Sequence, residues 1–282
     1  MSEAIFITNK DYRSREGISK SSLEYFKKSP LHFKYAEEHP KEDTPSLLFG
    51  RAAHKYILEK EHFFDEFAIA PKIDKRTVQG RLDWMDFTDS LEGRDVITTE
   101  QFDQIVEMDK AIDAYPLARQ LLTGVCESSY FWTDVPTGEV CKCRPDCLTE
   151  CEGKKYIVDY KTADGCADGQ FERNVRKFNY KLQSGMYCEG LLNCELEEYG
   201  FAFVAQEKKP PYAVRVYICD PEFIREGIDE FRTLMGIYHD CKTTGNFYGY
   251  EGPFGTPVKL IAEGDLYRKD EPDEDEESEV AE

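Results

Sequence analysis

Apolar residues recur every three or four positions through much of the first 122 residues, which is the repeat of amphipathic helices. The first helix opens with a capping box at Ser21–Glu24 and turns Leu23 and Phe26 inward. Helices are predicted over residues 21–29, 46–59, 99–114 and 116–122. The N-terminal part of the chain is therefore expected to be helical.

After residue 122, β-branched and aromatic runs without a helical repeat are bounded by short polar turns, a pattern typical of strands. Strands are predicted over 125–134, 139–149, 155–162, 201–206 and 213–219, and helices over 169–192 and 221–240. Helices before and after a run of adjacent strands predict an α/β fold in which a mixed central sheet is flanked by helices.

A chain of 282 residues with 40% hydrophobic content can bury a full core, and we predict a single domain over residues 1–262. It divides into a helical part, 1–122, and a sheet with its helices, 123–262. The segment 263–282 has eleven acidic and two basic residues, so an acidic disordered tail is predicted there. No 18-residue apolar run and no basic leader with an apolar core is present, so a cytoplasmic protein without a membrane span is expected.

The formal net charge of −20 argues against a general nucleic-acid binder, because affinity for phosphates rises with the number of Lys and Arg contacts. The tail alone contributes −9 of that charge. Basic residues elsewhere form two clusters, and both are candidate phosphate contacts, although a solvated surface explains either one. The clusters are Lys72, Lys75, Arg76 and Arg81, and Arg173, Arg176 and Lys177.

The candidate chemistry lies in two neighbouring predicted strands. Side chains alternate between the faces of a strand, so Asp159 and Lys161 share a face. A polar, Gly-containing segment at 150–154 predicts a hairpin that brings Asp146 beside Asp159. Two carboxylates suit Mg²⁺, and a nearby ammonium can orient a metal-bound water and offset developing charge. The alternative is a solvated strand face, because short motifs often occur by accident.

Ten cysteines do not predict disulfides in a protein expected to stay in a reducing compartment. Cys141, Cys143, Cys147 and Cys151 have a spacing that raises an iron–sulfur cluster as one interpretation. All four fall in one predicted strand and its turn, unlike the spacings usual for clusters. Free, partly buried thiols are therefore preferred over a cluster.

The order Pro-Asp followed by Asp-x-Lys resembles the PD-(D/E)xK nuclease superfamily. The longer string Glu127-Ser128-x-Tyr130-Phe131-Trp132, Cys141–Asp146 and Asp159–Thr162 is similar to the RecE-type (exonuclease VIII-like) exonucleases of phages and prophages. The resemblance covers about residues 17–249 and implies a restriction-endonuclease-like fold. It also implies a magnesium-dependent 5′-to-3′ exodeoxyribonuclease that degrades one strand of linear double-stranded DNA, with Mn²⁺ as a substitute metal.

By the same resemblance, His54 joins the metal site with Asp146 and Asp159, and Glu127 lies near it. A core histidine and an exposed edge charge are the alternatives for His54 and Glu127. Four residues apart on one helix, Gln183 and Tyr187 also belong to the site in the family, although an amphipathic face explains that spacing too. The predicted site also includes the backbone carbonyl of Tyr160 as a metal ligand and Arg144 as a DNA contact.

The expected partners are linear duplex DNA and a single-strand annealing protein of the RecT-like kind, in the cytoplasm of a bacterial host that carries the phage or prophage. The family implies a ring-shaped homo-oligomer, with Arg76 and its neighbours facing DNA. Two alternatives stay open. One is a single-strand or flap nuclease of the same fold, of the CRISPR-adaptation or helicase-linked type, and the other is a non-catalytic module that binds or mimics DNA.

Overall fold

In the computed structural model, which describes residues 4–39, 44–195 and 197–255, a mixed sheet separates two helical layers. The N-terminal elements are α1 (Asn9–Ser14), α2 (Lys20–Lys28), α3 (Pro30–Glu38), α4 (Pro45–Leu58), a 3-10 turn (Lys60–His62), α5 (Phe63–Glu66), β1 (Phe67–Ala70), α6 (Val78–Asp89), β2 (Asp95–Thr98), α7 (Thr99–Asp113) and α8 (Pro116–Leu121). The remaining elements are β3 (Val125–Cys126), β4 (Tyr130–Thr133), β5 (Val140–Cys143), β6 (Cys147–Cys151), β7 (Lys154–Ala163), α9 (Gln170–Lys177), α10 (Tyr180–Glu195), β8 (Gly200–Glu207), β9 (Val214–Ile218) and α11 (Pro221–Thr244).

The main sheet has five strands in the order β3-β6-β7-β8-β9. Strands β7 and β8 run parallel, and the other neighbours in this sheet are antiparallel. Two smaller pairs stand beside it, the parallel pair β1-β2 and the antiparallel pair β4-β5. This arrangement confirms the predicted α/β class with a mixed central sheet flanked by helices.

Strand β7 is central, and its alternating side chains belong to two separate cores. Ile157 is fully buried on the side of the sheet covered by α2, α10 and α11. Val158 and Tyr160 are fully buried on the side covered by α4, α7 and α8. Both faces of such a strand are buried, so its sequence is expected to be a near-continuous apolar run. Alternation of polar and apolar residues then does not indicate which face is which.

Two of the predicted strands are each divided in the structure. The segment 125–134 forms β3 and β4, because Glu127 adopts a positive φ of 54° and breaks the extended conformation. The segment 139–149 forms β5 and β6 on either side of Pro145, which has no N–H for a ladder hydrogen bond. Strands β4 and β5 therefore pair with each other outside the main sheet.

The capping box at Ser21–Glu24 was placed two residues too late, since Ser19 caps α2 and exchanges hydrogen bonds with Ser22. Leu23 and Phe26 are buried as predicted. Ser29 ends α2 and also caps α3, so the pair Ser29-Pro30 marks the start of a helix that the sequence analysis missed. Helices α1 and α6 and the β1-β2 pair were missed as well. The predicted domain end at residue 262 and the acidic tail lie outside the described residues.

No helix in the described part of the chain is both long enough and apolar enough to cross a membrane.

Helices α10 and α11 approach each other at backbone distance through two glycines. A Cβ added to Gly185 would lie 2.1 Å from the carbonyl carbon of Gly227, and one added to Gly227 would lie 2.1 Å from the carbonyl oxygen of Lys181. Backbone atoms cannot yield as a flexible side chain can. This contact fixes the position of α10, which carries Gln183 toward the sheet.

Gly227→Ala is expected to lower the free energy of unfolding by about 1–3 kcal/mol, the usual range for overpacking. Gly236→Ala, on the same helix, is the matched control because a Cβ there meets nothing within 4 Å. The control should gain up to about 1 kcal/mol from helix propensity. Urea unfolding followed by circular dichroism measures both changes, and equal midpoints for the two variants would contradict the close approach of α10 and α11.

Candidate active site

An open cleft of about 1000 Å³ lies between the N-terminal helices and the ends of the central strands. Glu127 follows β3 directly, Asp146 precedes β6 directly, and Asp159 lies within β7. The side chains that line the cleft include His54, Glu127, Asp146, Lys161, Gln183 and Tyr187. With Arg144 and Lys177, which also line it, the structure brings eight of the predicted site residues to one cleft.

Strand register places the carboxylates side by side. Cys147 of β6 is the partner of Val158 in β7, so Asp146, one residue earlier, comes opposite Asp159. The backbone N–H of Tyr160 donates to Asp146 Oδ2 at 2.7 Å, and the backbone N–H of Glu127 donates to the carbonyl oxygen of Asp146 at 3.1 Å. The predicted hairpin at 150–154 therefore does bring Asp146 to Asp159.

Three residues offer ligand atoms close enough for one cation. A ring nitrogen of His54 and carboxylate oxygens of Glu127 and Asp146 all lie within 4.8 Å of one another. His54 comes from α4, and its Nδ1 is 3.3 Å from Asp146 Oδ2. Two carboxylate oxygens and one imidazole suit a divalent ion such as Mg²⁺ or Mn²⁺.

Asp159 stands outside that trio, and its carboxylate is held by two neighbours. Gln183 Nε2 donates to Oδ1 at 2.5 Å, and Lys161 Nζ lies 2.7 Å from Oδ2. Lys161 is the ion-pair partner of the buried Oδ2, and no other described group donates a hydrogen bond to that oxygen, so it keeps an unused lone pair. An oxygen of this kind fits a metal ligand, and the ligand role of Asp159 stays a prediction.

The acidic groups perturb one another's pKa. Burial raises the pKa of Asp159, with Asp146 adding to the rise and Lys161 opposing it. Burial would also raise the pKa of Asp146, but His54, Lys161 and the Tyr160 N–H outweigh it and the pKa is lowered. Burial and the Asp146 charge raise the pKa of Glu127 to about 7. A bound cation would add positive charge to this cluster and favour the ionised form of its carboxyl groups.

The pKa values of the two basic groups are raised despite burial. Burial lowers the pKa of His54, yet the adjacent Asp146 carboxylate more than compensates. Burial likewise opposes the charge on Lys161, and Asp159 outweighs it, so the pKa is well above its ordinary value. The Asp159 carboxylate therefore favours the charged form of Lys161. Its Nζ also lies 4.8 Å from the centre of the Tyr180 ring.

Arg144, predicted as a DNA contact, lines the cleft and pairs with a carboxylate of the site, and its contact with DNA stays a prediction. Its Nε lies 2.6 Å from Glu127 Oε2, and its side chain is only 11% exposed. The Tyr12 ring centre lies 5.9 Å from the guanidinium. Arg144 therefore orients Glu127, and little of its charge is presented to solvent.

The predicted phosphate contacts are distributed unevenly. Lys177 lines the cleft, whereas Arg173 and Arg176 are exposed elsewhere on α9. The first cluster lies outside the cleft lining: Lys72 pairs with Glu100, Lys75 lies over the Trp84 ring, and Arg81 donates to the backbone carbonyl of Arg76.

Sequence reasoning missed three residues of the cleft wall, Tyr12, Lys20 and Lys142. Lys142 is buried between Cys141 and Cys143, and its ammonium donates to the backbone carbonyls of Tyr12, Arg13 and Arg15 at the end of α1. The signal in the sequence that could have identified it is a charged residue between two buried neighbours.

The cysteine-rich stretch spans two strands and two cores. Cys141 and Cys143 of β5 pack with α10 and α11, whereas Cys147 and Cys151 of β6 pack on the other side of the sheet. All ten cysteines lie in the described part of the chain, and none of them forms a disulfide there.

Comparison with known proteins agrees with this geometry. Residues 19–251 match a family described as a PDDEXK-like domain of unknown function (DUF3799). The fold is similar to the crystal structure of a candidate exonuclease from Eubacterium rectale, with a TM-score of 0.59 and 15% identity, over 92% of this chain and 96% of that one. No curated protein matches the sequence. At this identity the structural likeness establishes the fold alone.

Metal binding at this site is expected to release protons near neutral pH, because His54 and Glu127 have raised pKa values and must lose a proton to become ligands. Affinity for Mn²⁺ should fall as pH drops through those pKa values, by about tenfold per pH unit for each proton released. Calorimetry in buffers of different ionisation enthalpy measures the release. His54→Gln and Glu127→Gln should each reduce it, and binding of equal strength at pH 6 and pH 8 would contradict the assignment.

Proposed function

Since this chain belongs to the PDDEXK-like domain family that its residues 19–251 match, we propose that it is a metal-dependent exodeoxyribonuclease of the RecE type. It cuts phosphodiester bonds of linear double-stranded DNA with Mg²⁺, removing one strand from the 5′ end. The product is a single-stranded overhang that a RecT-like annealing protein takes up in phage-type recombination.

One observation carries the proposal. Asp146 and Asp159 lie opposite each other on β6 and β7, with Lys161 ion-paired to Asp159 and with His54 and Glu127 around Asp146. Oxygen ligands and an ammonium at one spot are what hydrolysis of a phosphodiester requires. A non-catalytic module would have no use for two buried carboxylates in an open cleft.

His54, Glu127 and Asp146 would hold the metal, together with the free lone pair of Asp159 Oδ2. When bound, Mg²⁺ supplies Lewis-acid activation of the phosphoryl group and a water of lowered pKa. The backbone carbonyl of Tyr160, between Asp159 and Lys161, is a further candidate ligand.

The protein's own groups position the reactants. Gln183 and Lys161 hold the Asp159 carboxylate from two sides, and the Tyr160 N–H holds Asp146. Lys161 offsets negative charge at the scissile phosphate as the P–O bond breaks. Tyr187 lines the cleft beside Gln183 on the same helix and, with it, borders the space for the nucleotide.

The lysines of the cleft wall support the proposal that the ends of duplex DNA are the substrate. Lys20, Lys177 and Lys208 line it and supply positive charge in a chain that is acidic overall. A ring-shaped oligomer would place an acidic exterior away from DNA and turn Arg76 and its neighbours inward. Light scattering that finds a monomer at micromolar concentration would argue against the ring.

Lys161→Ala is expected to lower the cleavage rate by about 10²-fold or more, since it removes a charge aimed at the reacting phosphate. DNA binding should persist. Lys155→Ala is the matched control because it removes a lysine from the same strand whose side chain is exposed and pairs with Glu197. Single-turnover cleavage of a labelled duplex, with filter binding alongside, measures both properties. Equal rates for the wild type and Lys161→Ala would contradict the catalytic role.

Linear duplexes labelled at either 5′ or 3′ ends should lose label from the 5′ end first, and only with Mg²⁺ or Mn²⁺ present. A nicked circle, which has no duplex end, should resist digestion. Preferential cleavage of single strands or flaps would favour the second type of nuclease of this fold. Binding without cleavage at any metal concentration would favour a non-catalytic DNA-binding module.

A further inference from the structure

Two cysteines face each other directly beside the candidate metal ligands. Cys126 of β3 is the register partner of Cys147 of β6. Glu127 follows the first cysteine and Asp146 precedes the second, so each thiol is one residue away from a candidate ligand. Among the registers of the described strands, this is the one position that pairs two cysteines.

The ladder geometry suits a covalent bond between the two sulfurs. Positions along an antiparallel pair alternate between hydrogen-bonded and non-hydrogen-bonded. Glu127 N–H donates to the Asp146 carbonyl, so that position is hydrogen-bonded and the Cys126–Cys147 position is not. At such a position the Cα atoms lie about 4.5 Å apart and the side chains come closest. Disulfides accept Cα separations of about 4.4–6.8 Å, so the pair falls at the short end of that range.

Oxidation would remove few stabilising contacts of the two thiols, and one thiol, that of Cys126, is accessible to solvent. Cys126 is half-buried, whereas Cys147 is fully buried. The two thiols interact with each other, and their contacts to backbone carbonyls are long, from Cys126 to Gly124 at 3.9 Å and from Cys147 to Leu148 at 3.8 Å. A thiol is a weak donor, so these contacts contribute little to stability.

We propose that Cys126 and Cys147 are a redox modification site, which closes into a reversible disulfide and thereby weakens metal binding at the neighbouring carboxylates. The oxidant is a hydroperoxide. The sulfur of Cys126 attacks the peroxide oxygen, the O–O bond breaks, and a sulfenic acid and an alcohol form. The sulfur of Cys147 then attacks the sulfenic sulfur and displaces its hydroxyl group. That group takes up the proton of the Cys147 thiol and leaves as water. Two thiols and one hydroperoxide give one disulfide, one alcohol and one water, and two electrons pass from sulfur to oxygen.

The effect on the metal site follows from distance, and it rests on the proposed function of that site. Disulfides most often separate the Cα atoms by about 5.5–6 Å, so closure drives β3 and β6 apart by about 1 Å. The adjacent hydrogen bond from Glu127 to Asp146 is only one residue away. Glu127 and Asp146 offer ligand atoms within 4.8 Å of each other, and widening that gap removes Glu127 from shared coordination.

The test treats the reduced full-length protein with hydrogen peroxide and removes the excess. Peptide mapping without reduction should find Cys126 linked to Cys147, with a loss of about 2 Da from the intact mass. Mn²⁺ affinity, measured by electron paramagnetic resonance, should fall by about tenfold, as for other changes beside a metal ligand. Dithiothreitol should restore the original affinity.

Cys126→Ser is the central control, because its site is half-buried and the variant should fold. Its Mn²⁺ affinity should be insensitive to peroxide. Cys219→Ser removes a half-buried thiol with no register partner and should respond as the wild type does. Absence of the linked peptide overturns the modification site, and unchanged Mn²⁺ affinity in the linked protein overturns its effect. If the reduced protein fails to bind Mn²⁺, the proposed metal site fails while the mapping still decides the disulfide.

Discussion

The site depends on one constraint, which is that three carboxylates lie close together with little of their surface exposed to solvent. The three come from the ends or the interior of adjacent strands, and they are Glu127, Asp146 and Asp159. Each of them is paired with a different basic side chain. Arg144 pairs with Glu127, His54 with Asp146, and Lys161 with Asp159. Without these partners the buried negative charges would be strongly unfavourable, since an unpaired charge removed from water is costly.

The three pairs differ in how fixed they are. Lys161 has a raised pKa beside Asp159, and Arg144 is held at Glu127 by an ion pair between Nε and Oε2. His54 can give up its proton and exchange its ion pair for coordination of a metal. From its position on α4, outside the sheet, it reaches a carboxylate at the end of a strand. Metal binding would therefore tie the two parts of the domain together.

The sequence was sufficient for the parts of the site that depend on local rules. Side-chain alternation placed Asp159 and Lys161 on one face, and a Gly-containing polar turn brought Asp146 opposite. It was insufficient where contacts join distant segments. Nothing near Tyr12 in the sequence indicates that it packs against Arg144, because the chain between them contains most of the N-terminal helices. The division of two strands at Glu127 and Pro145 was also missed, although the polar segment 127–129 and the Arg-Pro-Asp segment 144–146 interrupt the apolar pattern at the two breaks.

The buried ammonium of Lys142 has a consequence for the boundary of the domain. Its acceptors are carbonyl oxygens of the short helix α1, and the family match begins only at residue 19. Trimming the protein to that boundary would leave a positive charge in an apolar setting with no acceptor from its own chain. The segment that contains α1 is thus part of the fold, and any fragment intended for crystallisation or enzymology has to retain it.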